Sequence, residues 1–240
     1  MNKGVIRMEK TEAMETVLIT GASRGIGLEL ARQFLHLGFE VIATYRGSPS
    51  SALVSLSSSS SLTLVELEVT DNCSIKALKD VLVNTDIDIL INNAGVIGPE
   101  EQSLEAIELD EWLHTFSVNA ISPLMLSRAL LANLKRTSNP RIITISSQMG
   151  ALSRESTGMY AYRSSKAAVN KVMQVLALEL KADGIIVCPI HPGWVKTDMG
   201  GQQAEISAAE SASGIVDLVR KLSLGASGKF LTWQGEEHAW

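Results

Sequence analysis

Cysteine is almost missing from this chain: Cys73 and Cys188 are the only two in 240 residues and stand far apart. That argues against a disulfide framework or a thiolate metal site, and a reducing, cytoplasmic compartment is expected. Long apolar runs are missing as well. The longest, residues 185–190 and 87–91, fall well short of the roughly 20 residues that a membrane span requires, so no membrane span is expected. Nor is there a basic excess: 21 Lys and Arg face 26 Asp and Glu, a net charge of -5. A surface that binds nucleic acid must attract phosphates, so no nucleic-acid partner is expected. Residues 1–15 carry both Lys and Glu with no apolar centre, unlike a secretory signal, and read as a flexible N-terminal extension.

What is present is 45% hydrophobic residues, arranged from residue 16 onward as short β-branched runs alternating with amphipathic stretches. That alternation is the pattern of repeated βαβ units. Strands are expected at 16–20, 39–45, 62–69, 87–92, 141–146, 184–190 and 229–232, and helices at 25–37, 73–84, 109–135, 160–182 and 207–222. Parallel strands need crossovers, so this order predicts one α/β domain over 16–240: a Rossmann-type, doubly wound parallel sheet of about seven strands with helices on both faces. The serine tract 55–61 falls where the second and third strands must be connected, and a poor, mobile helix or loop is expected there. Ser207 with Glu210 has capping-box spacing and marks a helix start.

Directly after the first strand comes Thr20-Gly21-Ala22-Ser23-Arg24-Gly25-Ile26-Gly27, then an amphipathic run. A strand, a glycine-rich turn and a helix N-terminus together suit a dinucleotide pyrophosphate, because free backbone N–H groups and the helix dipole point at it. Gly21 permits the tight turn, Gly25 the approach of the phosphates and Gly27 the packing of helix on strand. The second strand ends in Thr44-Tyr45-Arg46. No acid stands there to meet a free ribose hydroxyl, and Arg46 with Arg24 offers guanidinium groups to a 2′-phosphate, so NADP(H) is expected over NAD(H). Arg46 also reads as a solvated loop residue. Asp71, beyond the third strand, suits either the adenine amino group or a helix N-cap. The fourth strand ends in Asn92-Asn93-Ala94-Gly95, small residues that let the chain pass beside a cofactor.

Tyr162 and Lys166 lie four apart in a helical segment and share a helix face. A free phenol has a pKa near 10; a neighbouring ammonium is expected to lower it, making Tyr162 a general acid for carbonyl reduction and a base for the reverse. Ser147 ends the strand 141–146 and is placed either to polarise a carbonyl or to shape a turn. Asn119 sits inside the long pattern 109–135, where it either bends the helix and holds a water linking Lys166 to solvent, or is a satisfied core amide.

These residues, in this order, resemble the short-chain dehydrogenase/reductase family: Thr20 to Gly27, Asn92 to Gly95, Asn119, Ser147, Tyr162 with Lys166, and Pro192-Gly193. The resemblance covers residues 16–240. It implies a tetrad of Asn119, Ser147, Tyr162 and Lys166, in which Tyr162 donates the proton, Ser147 orients the carbonyl, Lys166 also holds the nicotinamide ribose and Asn119 completes a proton relay. It implies cofactor contacts from Gly21, Ser23, Arg24, Gly25, Ile26 and Gly27, from Arg46 and Asp71, and from Asn93, Ala94 and Gly95. Pro192, Gly193, Val195 and Thr197 would meet the nicotinamide carboxamide. The stretch from His191 to Gly201, with the aromatic tail at Trp233 and Trp240, is similar to C-factor and sniffer-type carbonyl reductases. Residues 194–207 would then form a substrate lid hinged at Gly200 and Gly201. The pocket walls are expected from Gln148, Met149, Trp194 and Met199. His191 has no metal partner, and no metal site is expected.

Two features depart from the family pattern: the serine tract replaces a crossover helix, and the interval from Ser147 to Tyr162 is slightly long. The partner expected is a small carbonyl or alcohol substrate, and a homodimer or homotetramer is conceivable because relatives pair through the two long helices. The competing reading is a signalling or regulatory protein that binds the cofactor with little turnover; such a protein would not need an intact tetrad.

Overall fold

The computed structural model describes residues 14–240; of the expected N-terminal extension only Met14 and Glu15 lie within them. In chain order the elements are β1 (Thr16–Ile19), α1 (Gly25–His36), β2 (Glu40–Tyr45), α2 (Ser51–Val54), β3 (Leu62–Glu66), α3 (Asn72–Val81) and β4 (Ile89–Asn92). Then follow α4 (Leu109–Phe116), a π-helical turn (Ser117–Ile121), α5 (Ser122–Ala129), α6 (Leu131–Leu134), β5 (Arg141–Ile145), α7 (Tyr160–Glu179) and β6 (Ile186–His191). The chain ends with β7 (Val195–Lys196), β8 (Ile206–Ser207), α8 (Ala208–Lys221) and β9 (Leu231–Thr232). Seven strands form one sheet in the order β3-β2-β1-β4-β5-β6-β9, every pair parallel. This is the doubly wound sheet that the alternating pattern predicts.

Its strands are apolar on both faces because helices cover both. Val17, Ile19, Ile89, Ile91 and Ile143 pack with side chains of α1 and α8. Their neighbours Leu18, Leu90, Ile142 and Val187 pack with α3, α5 and α7. Strands buried twice over cannot alternate with polar residues, which is why they read as continuous runs. The strand order turns at β1, which pairs with both β2 and β4. Ligands of open α/β sheets bind in the crevice that such a reversal opens beyond the carboxyl ends of the strands.

Several boundaries differ from expectation for local reasons. β3 stops at Glu66, because the Glu68 N–H donates to Ser74 Oγ at 2.9 Å while Asp71 caps α3. The edge strand β9 starts only at Leu231, since Lys229 N–H turns back to the Ala226 carbonyl. The serine tract begins as one 3-10 turn, Ser55–Ser58, with no buried residue, directly after the short helix α2, which Ser50 caps and Leu53 anchors in the core. Glu15 is built into the domain: its carbonyl accepts from Glu40 N–H and its carboxylate meets the buried Arg141 guanidinium at 2.7 Å. Among the described residues no helix is long and apolar enough to cross a membrane.

The largest difference is the stretch 109–135, expected as one helix and found broken around Asn119. Pro123 is the cause. Four residues after Asn119, it has no N–H to give the Asn119 carbonyl, so the α-helical ladder fails there. The Ser122 N–H instead reaches five residues back to Ser117, and the Ser122 hydroxyl takes the Val118 carbonyl at 2.8 Å. π-turns of this kind cost helical regularity and are frequent at functional sites.

Candidate active site

The glycine-rich turn lies between β1 and α1. Gly25 has φ of 55°, a conformation that side chains resist. A Cβ on Gly27 would overlap Asn93 Nδ2 and the Gly21 carbonyl. No side chain caps α1, so its first amides point into the crevice unopposed by a cap. The turn is held by its neighbour strand: Thr20 Oγ1 accepts from the Asn93 and Ala94 amides, both at 3.0 Å. Asn93 Nδ2 in turn donates to the Thr20 carbonyl at 2.8 Å and the Gly21 carbonyl at 3.1 Å. Thr20 and Asn93 thus act as a clamp beneath the turn.

Across the crevice, β5 delivers Ser147 and α7 delivers Tyr162 and Lys166, all three buried. Lys166 Nζ donates to the Ile145 carbonyl at 2.8 Å and stands 5.8 Å from the centroid of the Tyr162 ring. The Asn119 amide is fully used. Its Oδ1 accepts from Val96 N–H at 2.9 Å, and its Nδ2 donates to the Val96 carbonyl at 2.8 Å and to Ser165 Oγ at 3.0 Å. A Cβ on Gly95 would lie 3.3 Å from Asn119 Oδ1 and 3.7 Å from Lys166 Nζ, so Gly95 leaves the space in which these groups meet. Asn119 is therefore a satisfied core amide by its side chain, while its main-chain carbonyl is the group that Pro123 leaves without a helical donor.

Gln102 escaped the sequence reading. α7 starts from Met159, a non-glycine residue in the left-handed region with φ of 54° and no side-chain cap. Gln102 supplies what is missing: its Oε1 accepts from Tyr162 N–H at 3.0 Å, and its Nε2 donates to the Ile97 and Pro99 carbonyls at 2.8 and 2.9 Å. It ties the chain after β4 to the turn carrying Tyr162. No local pattern marks a glutamine that caps a helix sixty residues on.

Burial pushes the Tyr162 phenol above its ordinary 10.0, and a hydrogen bond with Ser147 pulls the other way. The expected lowering by Lys166 is thus reversed. The ammonium sits over the ring and bonds a carbonyl rather than the hydroxyl, while loss of hydration disfavours phenolate. Lys166 itself is brought down to about 8 by burial. At neutral pH the site holds a neutral phenol, which is a proton donor.

The segment after β6 closes the crevice. Val195 is buried in β7, Thr197 lays its methyl where a Cβ on Gly25 would come within 3.2 Å, and Ser211 Oγ takes the Pro192 carbonyl at 2.6 Å. Gly193, with φ of 88°, leaves room for Ile206 and Trp233. Trp194 Nε1 donates to the Gly200 carbonyl at 2.8 Å, and Met199 Sδ lies 4.0 Å from the Tyr162 hydroxyl. Gln148 accepts from Arg154 at 2.6 Å. Met149 lines a concavity with Leu152, Arg154 and Arg163.

The outlying candidates are engaged elsewhere. Arg24 is exposed and pairs with Asp198 at 2.8 Å, joining the glycine-rich turn to the lid segment. Arg46 is exposed and has Glu68 at 3.6 Å, an acid just beyond β3 that the end of β2 does not reveal. Asp71 accepts from Cys73 and Ser74 N–H at 2.9 and 3.2 Å, the N-cap of its two readings.

His191 is buried against His238, ring centroids 5.9 Å apart, and its Nδ1 has no partner among the described residues. Burial first, then His238 and Arg154, lower its pKa from 6.5 to about 4. Unfolded, it takes a proton near 6.5; folded, only near 4. Between these values the unfolded chain binds more protons, so the stabilisation is complete above pH 6.5 and is lost on acidification toward 4. Urea unfolding should show a loss of up to roughly 3 kcal/mol over that window from this residue, absent in His191→Asn. Equal pH dependence of both proteins would refute it.

A family model described as short chain dehydrogenase matches residues 15–207. The chain is similar to C-signal of Myxococcus xanthus, with 37% identity over 155 residues, 64% of this chain and 93% of that protein. Among solved structures it is similar to the carbonyl reductase Sniffer of D. melanogaster, at TM-score 0.87 and 31% identity over 95% of this chain and 100% of that chain. It is likewise similar to an NADPH-bound carbonyl reductase from chicken fatty liver, at TM-score 0.86 and 35% identity over 95% of this chain and 99% of that chain.

Proposed function

The chain belongs to the short-chain dehydrogenase family of oxidoreductases, and we propose that it uses NADP(H) to reduce an aldehyde or ketone to the alcohol, or to run the reverse. The observation that carries this is the buried, protonated Tyr162 hydroxyl at the carboxyl edge of the sheet, with Ser147 beside it and Lys166 one helical turn on. The uncapped α1 amides and the glycine cradle at Gly25 and Gly27 fit a dinucleotide pyrophosphate. The NADPH held by the chicken neighbour supports a cofactor bearing a 2′-phosphate; Arg24 and Arg46 are exposed, and each would have to turn from its carboxylate, Asp198 or Glu68, to meet that phosphate. When bound, the nicotinamide supplies or accepts the hydride.

The protein's part is proton transfer and orientation. Tyr162 Oη gives its proton to the carbonyl oxygen, and Ser147 Oγ donates a second hydrogen bond that draws negative charge onto that oxygen. Lys166 keeps positive charge beside the phenol as it becomes phenolate. The Asn119 carbonyl, freed by Pro123, would hold a water, and through that water Lys166 exchanges protons with solvent. A homodimer is supported by exposed Leu113 and Leu124 on α4 and α5, and Val175 and Leu178 on α7. The free thiols Cys73 and Cys188 support a cytoplasmic site of action.

The test is consumption of NADPH and NADH over a panel of aldehydes, ketones and quinones. Turnover with NADPH is expected, with reductive kcat/KM falling above pH about 8 as Lys166 loses its proton. Arg46→Ala should raise the NADPH KM roughly tenfold, because a charged hydrogen bond to phosphate is lost, and leave that for NADH in place. NADPH binding without turnover of any carbonyl would favour the signalling reading, which the likeness to C-signal supports.

A further inference from the structure

We infer that Met199 is an oxidation site: a peroxide converts its thioether to the sulfoxide, which captures the Tyr162 hydroxyl and switches carbonyl reduction off. This rests on the reductase reading above.

Position, access and framing carry it. Met199 Sδ lies 4.0 Å from Tyr162 Oη, the atom that must donate to a substrate carbonyl. The residue is 42% exposed, whereas Met173 is fully buried and Met125, Met149 and Met159 are half-buried. The backbone around it is tied down: Gly200 N–H donates to Thr197 Oγ1 at 3.1 Å, Gly201 N–H to the Thr197 carbonyl at 2.9 Å, and Trp194 to the Gly200 carbonyl. The sulfur is thus held above the hydroxyl by its own loop. Met14 is also exposed, at 55%, but precedes β1 at the opposite edge of the sheet from Tyr162.

A thioether is a weak acceptor, so in the reduced protein the sulfur yields the hydroxyl to substrate. Oxidation changes that. A sulfur lone pair attacks the hydroxyl oxygen of the peroxide, an S–O bond forms, the O–O bond breaks, and the other oxygen leaves with the proton from the attacked one, as water or an alcohol. Sulfur loses two electrons and the peroxide gains them. The product is a polar, chiral sulfoxide. Oxygen added on the side of Tyr162 lies one S–O bond closer than the sulfur, within the range of about 2.5–3.0 Å for O–H···O bonds. The phenol then donates to the sulfoxide instead of the substrate. Because that bond stabilises the neutral phenol, it raises the Tyr162 pKa further. Methionine sulfoxide reductases restore the thioether.

The experiment treats the full-length protein with limiting hydrogen peroxide and maps sulfoxide by peptide mass spectrometry. NADPH turnover, NADPH affinity by fluorescence and the Tyr162 titration by ultraviolet difference absorbance, assigned with Tyr162→Phe, are followed in parallel. Expected is a fall in kcat/KM of about tenfold or more in step with Met199 sulfoxide, unchanged NADPH affinity, a Tyr162 titration moved to higher pH, and recovery with methionine sulfoxide reductase. Met14→Leu should lose activity like the parent, while Met199→Leu should keep whatever rate it had before peroxide. Loss in Met199→Leu at the parent's pace would overturn the inference. If untreated protein turns over no carbonyl, the reductase reading fails, and an unmoved Tyr162 titration then sinks the Met199 contact independently.

Discussion

Tyr162→Phe lowers kcat/KM for carbonyl reduction by about 10²–10⁴-fold, the usual worth of a positioned general acid, while NADPH binds as before and the fold keeps its stability. The separation of effects follows from what the hydroxyl touches. It meets Ser147 and, more distantly, Met199, and no main-chain group depends on it. Ser147 keeps a partner in the variant, the Met149 N–H at 3.1 Å. The ring stays in its buried place, and the bond from Tyr162 N–H to Gln102 Oε1 is untouched. Thermal unfolding and NADPH titration therefore serve as internal controls. A rate within a few-fold of the parent would mean that another group protonates the carbonyl. A joint loss of rate and melting temperature would instead mark Tyr162 as structural.

The second large effect comes from a residue with no functional group. Gly150→Ala is expected to cost about 1–3 kcal/mol of stability, the range for overpacking a filled site, and to lower kcat as well. Gly150 follows Ser147 in the single 3-10 turn of Gln148–Gly150, which lies directly on α7. A Cβ there would come 2.5 Å from the Lys166 carbonyl carbon, 2.7 Å from Ala167 N and 2.8 Å from Lys166 Cβ. Two of those atoms are main chain, so no side chain can swing away. Either the turn carrying Ser147 or the helix carrying Tyr162 and Lys166 must move. Chemical denaturation gives the stability term, and kcat at saturating NADPH the catalytic one. Unchanged kcat in a destabilised protein would show that the turn yields without disturbing Ser147.

Much of the molecule is legible from local rules. The β-branched runs of β1, β4, β5 and β6 identify themselves because strands buried on both faces tolerate little else. The turn from Gly21 to Gly27 announces a helix N-terminus that must meet a ligand or a close neighbour. Tyr162 and Lys166 share a helix face by spacing alone, and Ser207 with Glu210 marks the start of α8, where the Ser207 hydroxyl accepts from Glu210 N–H at 3.1 Å. The break at Asn119 was also within reach, since a proline four residues on removes the donor for its carbonyl.

Other features depend on segments that the sequence holds far apart. Gln102 caps α7 across 60 residues and Met199 reaches the Tyr162 hydroxyl across 37, and no periodicity encodes either meeting. Glu68 beside Arg46 comes from the turn that follows the adjacent strand. The direction of the Tyr162 shift required knowing both how deeply the phenol is buried and where the Lys166 ammonium points. Which segments become strands and helices, where the glycine-rich turn falls and which side chains share a helix face follow from local sequence, because backbone geometry sets those within a few residues. Which groups from distant segments touch, and how much water each one loses, follow from packing, because contact distances and desolvation are properties of the packed whole.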